Sequence, residues 1–89
     1  MVYAAIIGVS ELRKSMMELL LRNGADVNGT DKWGSTALMS ASFWGHKDTV
    51  ELLLARGAKI ELVDNDGETA LFKARKEKRY DVVSLLENQ

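Results

Sequence analysis

Trp33, Trp44 and Phe43 are the side chains of this sequence best suited to recognise another molecule. A rigid ring buries a large apolar area while freezing few torsions, which is why tryptophan is enriched among the residues that dominate protein interfaces. The competing reading is that the same rings fill grooves inside their own domain. A second candidate is the run Lys73-Ala74-Arg75-Lys76-Glu77-Lys78-Arg79. Such a run can meet phosphates or serve as a nuclear address. With a net charge of -1 and no interleaved aromatic before Tyr80, it reads instead as a solvated face, and nucleic acid is not the expected partner. His46 is the only histidine, with no second histidine, no cysteine and no E-x-x-H spacing to make a metal site or a general base. The serines lack a G-x-S-x-G elbow and the glycines form no phosphate-binding loop. The sequence therefore proposes no catalysis, no cofactor, no metal and no small-molecule substrate.

What holds these residues must be small. The chain has 89 residues, 46% hydrophobic and 28% charged, a balance that fits one globular domain. Without cysteine it has no disulfide scaffold. The longest apolar stretch, from Val2 to Val9, falls short of the roughly 18 residues a spanning helix needs. No basic residue precedes it, so it does not read as a secretory signal, and an intracellular location, cytoplasmic or nuclear, is expected. Asn28-Gly29-Thr30 matches a glycosylation sequon that such a location would leave unused.

The organising feature is an internal period of 33 residues. At that offset Asp31, Gly34, Thr36, Ala37, Leu38 and Ala41 recur as Asp64, Gly67, Thr69, Ala70, Leu71 and Ala74. Further on, Asp48, Val50, Leu52 and Leu53 recur as Asp81, Val83, Leu85 and Leu86. Residues 1–30 overlay 34–63 through Ala4, Lys14, Glu18, Leu19, Leu20, Leu21, Gly24 and Ala25. Three units fill the chain: a partial one at 1–30, a complete one at 31–63, and a terminal one at 64–89.

Within the complete unit, Asp31-Lys32-Trp33-Gly34 predicts a turn, Asp bonding its own backbone and Gly taking a positive φ. Thr36 can cap a helix carrying Ala37, Leu38 and Ala41, which Gly45 ends. A second helix runs from Lys47 with Val50, Leu53 and Leu54 on one face, Asp48 complementing its dipole, and Gly57 closing it. Neither helix is long enough to persist alone in water. Stacked copies must supply the core for one another, and about three are the minimum.

This pattern resembles the ankyrin repeat, whose unit opens with a D-x-x-G turn and a T-P-L-H-x-A segment. The matching stretches are Asp31 to Gly34 with Thr36 to Ala41, and Asp64 to Gly67 with Thr69 to Ala74. Gly45-His46 is similar to the family's inter-helix G-H, and Leu19-Leu20-Leu21 with Gly24-Ala25-Asp26-Val27-Asn28 to its L-L-x-x-G-A-D-V-N ending. The resemblance implies an all-α solenoid of about three stacked helix-turn-helix units joined by β-hairpin-like loops. Ala37 and Ala70 stand where the family has Pro, and Met39 and Phe72 where it has His, so the histidine's hydrogen bond to the preceding threonine is expected to be missing.

The resemblance also implies a concave face of turn tips and first helices that binds another protein. In the middle unit those positions hold Lys32, Trp33, Ser35, Phe43 and Trp44; in the terminal unit they hold Asn65, Asp66, Glu68, Lys76 and Glu77. The middle unit thus puts three aromatic rings, Trp33, Phe43 and Trp44, where the next unit puts Asp66, Lys76 and Glu77. The expected function is a non-catalytic protein-interaction module. The alternatives are a regulatory or inhibitory fragment of a larger signalling protein, or nucleic-acid association through residues 73–79. At the C-terminal end Arg75, Lys78 and Glu87 give the polar outer face a capping unit needs. At the other end Val2, Tyr3, Ile6, Ile7 and Val9 surround the first helix with apolar groups, which implies either packing on another subunit, self-association among the possibilities, or the loss of a preceding repeat.

Overall fold

The computed structural model describes residues 9–89, with side chains from residue 15 onward. Local chemistry sets the helix boundaries. Thr36 Oγ1 accepts the N–H of Met39 at 3.2 Å and Thr69 Oγ1 that of Phe72 at 3.1 Å, starting α2 (Ala37–Trp44) and α4 (Ala70–Lys76). Each is followed by a second helix, α3 (Lys47–Ala55) and α5 (Tyr80–Glu87), and α1 (Val9–Arg22) precedes them all. Among the described residues there is no strand. The loops are nonetheless hairpin-like, since Asp31 N–H donates to the Ser35 carbonyl at 3.1 Å and Asp64 N–H to the Glu68 carbonyl at 3.0 Å.

Two expectations are corrected here. The Thr36 N–H, left without a histidine, donates to Met39 Sδ at 3.5 Å, so a buried thioether closes the cap reciprocally. The substitution therefore does not orphan that donor. Phe72, with no such acceptor, is half exposed. The second correction concerns the first unit. Gly45 ends α2 at φ 72°, and Lys78 holds the matching bend at φ 58°, the one non-glycine residue with positive φ among those described. A left-handed residue with a Cβ costs on the order of 1–2 kcal/mol. The first unit has Leu12 at this place, and α1 runs through residues 12 and 13 without turning. No tight turn therefore falls at that place in the first unit.

Packing follows the repeat. The two helices of the middle unit lie against each other, as do those of the terminal unit, and α2 packs on α4, α1 on α3, and α3 on α5. Leu38, Met39, Val50, Leu53, Val82 and Leu86 are buried, and Ala41, Ala70 and Ala74 let the helices approach closely; Leu71 is only partly buried. A fully buried aliphatic chain contributes about 1.5–3 kcal/mol. Asn28 ties loops of adjacent units, its Oδ1 accepting the Lys59 N–H at 2.8 Å. At the C-terminal end two of the three departures from the repeat meet: Arg75, at the place of buried Ser42, pairs with Glu87, at the place of Leu54.

Val2, Tyr3, Ile6 and Ile7 lie outside the described residues, as does the side chain of Val9, so the apolar N-terminal face is not part of this picture. Within the described part of α1, Met16, Leu19 and Leu20 are exposed, whereas their counterparts Thr49, Leu52 and Leu53 are buried.

Candidate functional site

The Asp31 carboxylate shapes the turn that carries Trp33. Its Oδ1 accepts N–H bonds from Trp33 and Ser35, both at 2.9 Å, leaving the indole at the tip, 61% exposed. The Lys32 ammonium lies over that indole, 4.5 Å from the ring centroid, a cation–π contact. Trp44, the last residue of α2, is 59% exposed and meets Phe43 edge to face at 5.0 Å. The two tryptophans therefore stand at opposite ends of α2, a helix about 12 Å long at 1.5 Å per residue. Phe43 and Trp44 thus form one aromatic pair, while Trp33 is paired with Lys32.

Trp44 also borders two recesses. One, toward the terminal unit, is lined by Ser35, Met39, Ser40, Phe43, Trp44 and Lys73; the other, toward α1, is lined by Met17, Ala37 and Ala41 together with Trp44 and Thr49. Lys73 supplies the only cation of the first recess and is itself fixed: its Nζ stands 2.6 Å from Asp64 Oδ2 and 3.0 Å from Glu68 Oε1. The Lys73 bond, and after it the Glu68 N–H, hold the Asp64 carboxyl below its ordinary value of 3.8 against the opposing effect of burial. Asp64 in turn raises the Lys73 ammonium above 10.5.

The signs follow from linkage. A carboxyl depressed in the fold stabilises the protein above pH 3.8, and that contribution fades as pH falls through the lower folded value; the raised lysine contributes below 10.5 and fades as pH rises beyond it. Asp64→Asn keeps the turn's acceptor oxygen but loses the charge. Its melting temperature is expected to lie below that of the unsubstituted chain at pH 7, and the gap should close as pH falls below 3.8 and through the lower folded value. A gap independent of pH would refute the pairing.

This geometry, turns and helix pairs repeating over one chain, coincides with a family model of ankyrin repeats in three copies that matches residues 1–89. The chain belongs to the ankyrin-repeat family. No curated protein matches it. Ankyrin repeats are generally protein–protein interaction modules and typically non-enzymatic. No helix described is long and apolar enough to cross a membrane.

Within this ankyrin stack the residues singled out by sequence fall into different settings. Lys32 and Trp33 form the turn pair; Ser35, Phe43 and Trp44 join the recess. Asn65 is turned toward the neighbouring loop, its Nδ2 donating to the Lys32 carbonyl at 3.1 Å. Asp66 is exposed at its own tip, Glu68 is committed to Lys73, Lys76 is exposed near the end of α4, and Glu77 caps it. Sequence reasoning missed Lys73 and Arg79 as parts of the site. Arg79 Nε donates to the Phe43 carbonyl at 3.1 Å. The available signal was positional: Lys73 and Arg79 recur at the places of Ser40 and His46.

Proposed function

We propose that this ankyrin domain binds a partner protein through the concave face centred on its middle unit, with Trp33 and Trp44 as the anchors. The observation that carries the reading is that both indoles, the largest side chains of the chain, stand more than half exposed in a middle unit whose Leu38, Met39, Val50, Leu52 and Leu53 are buried. An exposed tryptophan surrounded by recesses offers a partner the area and rigidity that interface hot spots use. Phe43 braces Trp44. Lys32, Asp66, Glu68 and Lys76 orient the partner at the rim, where charge contributes more to direction and encounter rate than to affinity.

The basic segment supports this reading over nucleic-acid association. Of its five cations, Lys73 is held by Asp64 and Glu68, Arg75 by Glu87, and Arg79 by the Phe43 carbonyl. Lys76, Lys78 and the uncompensated charge of Arg79 remain, too few to give the steep salt dependence that phosphate binding shows.

Affinity capture with the unsubstituted chain beside Trp33→Ala and Trp44→Ala tests the proposal. Each substitution should weaken retention of the same protein by about thirtyfold, near 2 kcal/mol, while the melting temperature moves by only a few degrees. Equal capture by all three chains, or collapse of either variant's fold, defeats it.

A further inference from the structure

The terminal unit does more than close the stack. Its Asn65 spans two hydrogen bonds to the neighbouring turn: the backbone N–H donates to the Trp33 carbonyl at 3.0 Å, and Nδ2 donates to the Lys32 carbonyl at 3.1 Å. Consecutive carbonyls of the turn that carries the first indole are thus held by one residue of the next unit. At the other end of α2, Arg79 Nε donates to the Phe43 carbonyl at 3.1 Å, and the arginine stem lies so close to Gly45 that a Cβ there would meet Cδ at 2.7 Å. That carbonyl belongs to the residue preceding the second indole.

From these contacts we infer that Asn65 and Arg79 are positioning residues, one fixing the Lys32-Trp33 turn and the other the Phe43-Trp44 end of α2, so that the terminal unit sets both indoles in place before any partner arrives. The inference gives Asn65 a different role from the one its repeat position suggests: its amide donates inward, to Lys32, rather than toward a visitor. Its importance for binding rests on the proposed docking face, because pre-setting a ring removes the cost of ordering it on contact. The claim about the rings themselves does not. Nothing equivalent holds the terminal unit's own tip: a Cβ on Gly67 would meet no atom within 4 Å, whereas one on Gly34 would meet the Asn65 nitrogen at 3.0 Å.

The indoles supply their own probe, since the chain has two tryptophans. Trp44→Phe leaves Trp33 as the sole indole, and Trp33→Phe leaves Trp44. Time-resolved fluorescence anisotropy of each separates rapid ring motion from tumbling of the whole domain. Adding Asn65→Ala to the first chain should raise the amplitude of the fast depolarisation of Trp33 roughly twofold. Adding Arg79→Met to the second, which keeps the stem against Gly45 and removes only the donors, should do the same for Trp44. Asp66→Ala, which deletes a neighbouring side chain that holds no turn, serves as the control and should change neither. Helical circular dichroism confirms that each chain is folded. Unchanged depolarisation in Asn65→Ala or in Arg79→Met overturns the inference, and so does an equal rise in Asp66→Ala. Because no partner enters this measurement, its outcome is independent of the capture experiment, and either can fail alone.

Discussion

Leu53→Ala is expected to lower stability by about 3–4 kcal/mol, within the range measured for large-to-small changes at buried leucines. Leu53 has no exposed surface and sits in α3, the helix that touches α1, α2 and α5 together. Its truncation opens a space in a helix packed against all three units, and the surrounding helices, each anchored by its own neighbours, cannot all close on it. A small domain has only about 5–15 kcal/mol of total stability, with a stack of minimal length near the lower end. The melting temperature should fall by roughly 12 °C or more, at about 4 °C per kcal/mol for this size. Leu20→Ala, the same position one unit earlier but 54% exposed, should cost under about 1 kcal/mol. Similar losses at the two sites would show that Leu53 is not the hub its burial indicates.

The second large effect is expected at Gly34. Its φ of 77° is nearly that of Gly67 at 75°, so alanine meets the same backbone strain at both. That strain, less the entropy alanine removes from the unfolded chain, leaves about 1 kcal/mol. Gly34→Ala carries a further penalty because its Cβ would lie 2.7 Å from Asn65 Oδ1 and 3.0 Å from the Asn65 nitrogen. The amide can rotate away, but the nitrogen is held by its bond to the Trp33 carbonyl, so the two turns must separate. Gly34→Ala should therefore cost about 2–3 kcal/mol, two to three times Gly67→Ala. Denaturant unfolding of both variants reads the difference directly. If Gly67→Ala proves as damaging as Gly34→Ala, contact between adjacent turns contributes nothing.

Much of this was legible in the sequence because the repeat expresses itself through short-range chemistry. Asp31, Thr36 and Gly45 specify turn, start and stop from side-chain type alone, and their recurrence 33 residues later fixes the stack. The missed features depend on what a residue meets in space. Met39 was counted as a lost hydrogen bond because sulfur is a weak acceptor; only its burial against the Thr36 N–H makes it the partner. Leu12 stood visibly where a glycine was needed, but the leucine-rich stretch after it matched the family well enough to imply a turn the backbone does not make. The resemblance places Trp33 and Trp44 on one face without giving their separation, which the length of α2 sets. The roles of Asn65, Lys73 and Arg79 reach across units, and a one-dimensional pattern does not say which neighbouring carbonyl or carboxylate a side chain will find.

The way the helices touch has a consequence for how the chain acquires its structure. The main contacts join helices within one unit or in units next to each other, so no distant segments must find one another before native interactions begin to accumulate. Nucleation is then local, and the rate is set by forming one adjacent pair rather than by searching a large loop. The α2–α4 pairing, with its facing alanines and two capped starts, is the natural seed from which the neighbouring helices add.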